Sequence, residues 1–300
     1  MVGDLHQIRS GAFLIKLICR VGEAVLTKSQ NYFIYRSAMA RGDSPSDPGR
    51  HPDHDSGRFG GLDTTWTQED EARTFDAIVQ RNPLHHELFV QMARVVEEIA
   101  PLRIVDVGGA TGGFAKKLRD EGNSTRITIV DPAQAMLSLA AAKGLAGVET
   151  VCAEFGQYRI DRGDDTSSPD RMVTVVSSYA LHNWTMEVRA WFFTWLRDNL
   201  HPGEFFVNGD IVADDPPGDE QGRMAHAHRF FDSVGARHWM ADDSLPWPAR
   251  ANILAHTARH DLDRVPDLAE YVRLAGTDFS MEHVWNDPES YLRLMKFRRT

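Results

Sequence analysis

Three hundred residues, 42% hydrophobic and 25% charged, make an ordinary soluble globular chain long enough to bury a sizeable core. A formal net charge of -10 argues against a nucleic-acid binder, and the basic end KFRRT is too short to form a groove. Cys19 and Cys152 stand far apart without CxxC spacing, which excludes a disulfide framework or cysteine zinc site and suits a reducing cytoplasmic setting.

In chain order, residues 1–40 predict an amphipathic helix, with Phe13, Leu14, Leu17, Ile18 and Val21 at helical spacing. Lys16 and Arg20 interrupt its apolar run, so neither a membrane span nor a secretory leader is expected. Residues 41–65, rich in Gly, Pro, Asp and Ser, predict a linker. The pattern over 66–99 is helical again, with Thr67 as cap and Glu69 and Asp70 in the first turn. The expected division is an N-terminal helix and linker, 1–65, and a main domain, 66–300.

From Arg103 the rhythm changes. RIVDVGG, RITIVD, VETVCAE, MVTVVSSYA and EFFVNGDIV predict five short strands, and FAKKLRDEG, AQAMLSLAAAKG and MEVRAWFFTWLRDNL predict helices between them. That alternation implies a parallel sheet with helices on both faces, and the apolar strands imply burial on both sides. Residues 214–266 predict a helical excursion broken by PP and LPWP, too apolar for a plain loop. A helix over DLAEYVRLAG and two short strands near SMEHVW and YLRLMKF close the chain.

The loop IVDVGGATGGF, residues 104–114, sits at a strand-to-helix turn, where glycines allow close backbone approach to a ligand. Gly108, Ala110 and Gly113 can be fitted to the dinucleotide pattern, which leaves an NAD-dependent oxidoreductase as a rival reading. Asp106 at the strand end and Thr111-Gly112 after it point elsewhere. A buried carboxylate is costly unless paired, and suits a cationic ligand carrying an ammonium or sulfonium.

DVGGATGG resembles the first motif, D-V-G-x-G-T-G, of the class I S-adenosylmethionine-dependent methyltransferases, with Ala110 where glycine is commoner. The resemblance implies that Asp106, Gly108, Gly109, Ala110 and Gly112 bind S-adenosyl-L-methionine. It implies that Asp131, ending the second strand, accepts hydrogen bonds from the ribose hydroxyls. Pro132 and Met136 would lie near the adenine, Glu154 would take the adenine-edge position with Ala153 and Phe155 beside it, and Ser177 completes the set. Acids at three successive strand ends behind this loop are hard to explain as solvated turn residues. The implied fold is α/β: a Rossmann-like seven-stranded, mostly parallel sheet with an antiparallel C-terminal strand, a helical N-terminal extension and a helical lid, 214–266.

LHNWTMEVRAWFFTWLRDNLHPG is similar to the stretch L-H-D-W-x-D-E…L-x-P-G-G of small-molecule O-methyltransferases, in which the histidine is the general base. By position that residue is His182. A phenol of pKa ~10 is mostly protonated near pH 7, so a base of pKa ~6.5 within reach can activate it. Asn183 replaces the family's acid, so no adjacent carboxylate is expected to raise the basicity of His182. The family's winged-helix dimerisation domain has no counterpart here, and His182 as pocket wall alone stays open.

Trp184, His226, Phe230 and Trp239 are candidate substrate contacts, and Arg229 and Arg237 would suit an acidic acceptor. Val188, Phe192, Trp195 and Leu196 share one helical face and predict core. His226 and His228 with Asp232 lack ligand spacing, so no metal is expected. The expected function is methyl transfer to a small-molecule acceptor, O-methylation first and C-methylation second. A tRNA methyltransferase and a non-catalytic S-adenosylmethionine-binding protein are further rivals. No nucleic-acid or membrane partner is expected, and residues 1–65 could close the pocket or pair two subunits.

Overall fold

The computed structural model describes residues 69–162, 172–212, 266–287 and 291–300. The expected N-terminal helix, the linker, Thr67 and the domain boundary at 65/66 lie outside them, as does nearly all of 214–266.

Two helices open the described chain, α1 (Glu69–Arg81) and α2 (Pro83–Ile99). The sequence pattern predicts one helix over 66–99; the structure breaks it at Asn82. Pro83 has no N–H to donate and is tolerated only in a first turn, so a new helix starts there. Asn82 caps it, its side chain accepting from Leu84 N at 2.9 Å.

The rest alternates: β1 (Arg103–Val107), α3 (Gly113–Asp120), β2 (Arg126–Asp131), α4 (Gln134–Ala142), β3 (Val148–Cys152), β4 (Val173–Ser178), α5 (Met186–Asn199), β5 (Phe205–Ile211), α6 (Leu268–Ala275), β6 (Phe279–Asp287) and β7 (Leu292–Arg299). They form one seven-stranded sheet of order β3-β2-β1-β4-β5-β7-β6. Strands β1 to β5 run parallel, and β7 is antiparallel to both β5 and β6. The expected Rossmann-like fold is therefore present. The last two strands are not short, however, and pair along nearly their whole length.

Burial explains which residues form which strands. In β1, β2, β4 and β5 nearly every side chain is buried, as two-sided coverage requires. Strand β3 departs from the expectation of two-sided burial, because it is an edge and none of its five residues is fully buried. One core lies between the sheet and α2 to α4, with Leu88, Met92, Ile104, Phe114, Ile129 and Val207. The other lies under α5 and α6, where Phe192, Phe193, Trp195, Phe206, Tyr271 and Phe297 interlock. The predicted stripe of α5 is found there: Phe192, Trp195 and Leu196 are buried and Val188 packs against them.

From β1 the chain winds outward to β2 and β3, then returns to β4 on the other side of β1. In such a sheet the ligand crevice opens beyond the carboxyl ends of the strands flanking the reversal, here β1 and β4.

Candidate active site

The glycine loop leaves β1 at that point. Gly108 has φ +70, and a Cβ there would stand 2.7 Å from the Ala180 Cβ. The loop after β1 and the segment after β4 are therefore in direct contact. At Gly109 a Cβ would meet the Asp106 carboxyl carbon at 2.7 Å, so only glycine leaves room for that side chain.

Asp106 is 1% exposed, and both its carboxyl oxygens lack a hydrogen-bond partner among the described residues. Burial, and secondarily the charge of Asp131, push its pKa up to about 7. The Thr111 hydroxyl in the same loop is likewise buried without a partner there. Buried polar groups are usually satisfied, and these two of the unpartnered ones among the described residues sit together in one loop, as a site for a polar ligand would have them.

Asp131 ends β2 and holds the loop from the side. One oxygen accepts from Ala110 N at 3.0 Å, the other from Ala133 N at 2.8 Å. Burial raises its pKa to about 6 against the opposing effect of these two bonds. A carboxylate has about four acceptor sites, so two remain for hydroxyls. Ala110 takes φ +46, a left-handed conformation costly for a residue with a Cβ and typical of functional loops. Pro132 lies between Asp131 and the start of α4, its carbonyl 3.6 Å from the Cys152 sulfur across the β2–β3 edge.

Glu154 and Ala153 follow β3, with Glu154 at the head of a single 3-10 turn, Phe155–Gln157. Phe155 is buried and packed against Trp184, Trp191 and Phe192, with ring centroids at 5.2, 4.4 and 5.1 Å. Its ring is thus largely committed to the core. Ser177, expected in the cofactor set, is fully buried, and its hydroxyl donates to Val107 O at 2.9 Å. It ties β4 to β1.

His182 occupies a second 3-10 turn, Leu181–Asn183, just beyond β4. It is 6% exposed. Its Nδ1 lies 2.6 Å from Asp210 Oδ1, and its backbone N–H donates to Asp210 Oδ2 at 3.0 Å. Asp210 is fully buried in β5 and also accepts from Ile211 N at 2.8 Å. The residue after His182 is Asn183, as the sequence has it, and the carboxylate that meets the ring comes from the neighbouring strand. A carboxylate at Nδ1 fixes the proton on that nitrogen in the neutral ring and leaves the lone pair on Nε2.

Asp210 was not among the sequence candidates. Its signal was present, an acid inside the apolar strand FFVNGDIV, where an unpaired charge would be costly. Trp184 lies against Phe155 and Phe192 and is half-buried. The remaining substrate candidates, His226, Phe230 and Trp239, with Arg229, Arg237 and the AHAH pair, lie outside the described residues. Among the described residues no group of three or more His, Cys, Asp or Glu is arranged to hold a metal. None of the described helices is long and apolar enough to cross a membrane.

Residues 104–203 match the family described as methyltransferase domain. That span runs from β1 through the Asp106 loop and the His182 turn past the end of α5, and it is similar to methyltransferase domains.

Among solved structures, the fold is shared with a proposed O-methyltransferase of Nostoc punctiforme, at TM-score 0.52 and 17% identity over 81% of this chain and 63% of that one. It is shared with human N-acetylserotonin methyltransferase in complex with S-adenosylmethionine, at 0.50 and 12% over 78% and 57%. The plantazolicin methyltransferase in complex with S-adenosylhomocysteine matches at 0.51 and 10%, over 79% and 93%. The chain thus spans about three fifths of the first two. No curated protein matches the sequence.

Proposed function

We propose that the chain transfers a methyl group from S-adenosylmethionine to the hydroxyl of a small-molecule acceptor, with His182 as general base. The observation that carries this reading is the contact between the two halves of the crevice. Gly108 abuts Ala180, two residues before a histidine whose Nδ1 faces a buried carboxylate. A histidine held in this way is poised for proton transfer, and a wall residue would not need the Asp210 partner.

Residues of the loop fit the cofactor. The unpartnered Asp106 carboxylate and Thr111 hydroxyl would receive its polar and cationic groups, and Asp131 would accept from the ribose. When bound, S-adenosylmethionine supplies an electrophilic methyl group at its sulfonium. The chain must then provide alignment and a proton acceptor. His182 takes the acceptor's hydroxyl proton at Nε2 as the oxygen attacks, and Asp210 stabilises the imidazolium that forms, remaining ionised itself. General-base assistance of this kind contributes about 10²–10⁴-fold.

Methyl transfer from S-adenosylmethionine to a panel of simple phenols and hydroxy acids tests the reading. His182→Ala and Asp210→Asn should each lower kcat by about 10²-fold or more. The cofactor Kd, measured by titration calorimetry, should stay within about twofold. The two losses should not add, because both residues act through one proton transfer. Full activity of His182→Ala would remove the base from the mechanism.

A further inference from the structure

Three groups outside the His182–Asp210 pair converge on the turn and the strand that carry its two members. Arg189, on the first turns of α5, is 2% exposed and makes a bidentate pair with Glu270 of α6, Nε to Oε1 at 2.7 Å and Nη2 to Oε2 at 3.1 Å. Its Nη1 donates to the Leu181 carbonyl at 3.1 Å and also to the Trp184 carbonyl. Those carbonyls flank His182, so one guanidinium spans the whole turn that carries it. The residue after Glu270 reaches the strand that carries the other member. The Tyr271 hydroxyl accepts from Asn208 Nδ2 at 3.0 Å, and Asn208 shares a face of β5 with Asp210.

We propose that Arg189, Glu270 and Tyr271 form a positioning assembly that holds the His182 turn in register with Asp210. This rests on the reading of His182 and Asp210 as the proton-transferring pair.

Stability alone accounts poorly for the arrangement. A buried ion pair is commonly no better than an apolar filling of the same volume, and an apolar residue at 189 would suit this aromatic core. What the guanidinium supplies is direction, with its donors fixed in one plane and spread over three acceptor groups. The turn needs it. It is a single 3-10 turn closed by Asn183 N to Ala180 O at 3.1 Å and Trp184 N to Leu181 O at 3.0 Å, and such turns are weak. A shift of a few tenths of an ångström would lengthen the Nδ1 contact. α6 therefore braces both sides, the turn through Glu270 and the strand through Tyr271. Among the described residues, the charged and titratable groups near the pair include Arg189 of α5, Glu270 and Tyr271 of α6, and Tyr179 of the β4 end, whose phenol is pushed up by burial, by Asp210 and by Asp287.

The histidine side-chain resonances of the full chain, followed by NMR with and without S-adenosylhomocysteine, test this without knowledge of the acceptor. In the wild type the His182 Nδ1 proton should be observable and slow to exchange. Arg189→Lys keeps the charge but loses the fork, and Glu270→Gln keeps the shape but loses the anion. In both, the His182 titration midpoint should move down by about half a pH unit or more, and the Nδ1 proton should exchange faster. Tyr271→Phe, which removes one hydroxyl and stays folded if the others do not, should shift it in the same direction by less. Unchanged His182 resonances in these variants, with Asp210→Asn alone shifting them, would overturn the assembly and leave the dyad standing. An unchanged titration in Asp210→Asn would overturn the dyad itself.

Discussion

At the scale of single residues, Asp106 sets a conflict between stability and binding. Its carboxyl titrates near 3.8 when exposed and near 7 in the fold. Between those values the folded chain holds a proton that the unfolded chain has released. Its contribution to stability is therefore full at low pH and lost as pH rises through about 7, on the order of 4 kcal/mol in all. Asp131, raised to about 6, acts in the same direction. A cationic ligand favours the ionised form, so the thermal shift produced by S-adenosylmethionine should be larger at pH 8 than at pH 6. Asp106→Asn should bind the cofactor about tenfold or more weakly at pH 8, lose that pH dependence, and melt no lower than wild type without cofactor. Equal shifts at pH 6 and pH 8 in the wild type would separate Asp106 from the cation. Asp106 itself was legible in the sequence, since a carboxylate ending an apolar strand before glycines needs a reason. Its lack of partners was not, because that depends on what β2 and Gly109 place around it.

Secondary-structure elements show why part of the site could be read and part could not. A motif local in sequence, such as the glycine loop or the His182 turn, carries its own spacing. The dyad joins residues on different elements, and only the pairing of β4 with β5 brings them together: Ser177 pairs with Asn208 and Ser178 with Gly209. Spacing along the chain shows only that Asn183 follows His182, whereas the carboxylate at the ring is met in space. The aromatic helix α5 was legible for the opposite reason, because helical periodicity reports a face directly. Phe192 and Trp191 divide that helix. Phe192 is fully buried and meets Phe155, Trp184, Trp195 and Phe206, whereas Trp191 is 37% exposed. Phe192→Ala should cost about 3–5 kcal/mol in urea unfolding, and Trp191→Ala clearly less. Equal losses would mean that the α5 seam is not the centre of that core.

Over the whole molecule, the parallel sheet and its reversal between β1 and β4 bring the glycine loop and the His182 turn together from stretches far apart in sequence. Any ligand that binds only the folded chain must then stabilise it by mass action. At a hundred times its Kd the gain is about 2.7 kcal/mol, which for a domain of this size raises the melting temperature by roughly 5–10 °C. S-adenosylmethionine and S-adenosylhomocysteine should both give that shift, because the ribose and adenine contacts expected at Asp131 and Glu154 are common to them. The sulfonium is not common to them, so any difference between the two measures what that charge contributes. NAD at the same concentration should give no shift. Its dinucleotide needs an apolar strand end and a second glycine in the turn, where this loop has Asp106 and the left-handed Ala110. Stabilisation by NAD without stabilisation by S-adenosylhomocysteine would overturn the assignment of the loop, and with it the chemistry proposed for His182.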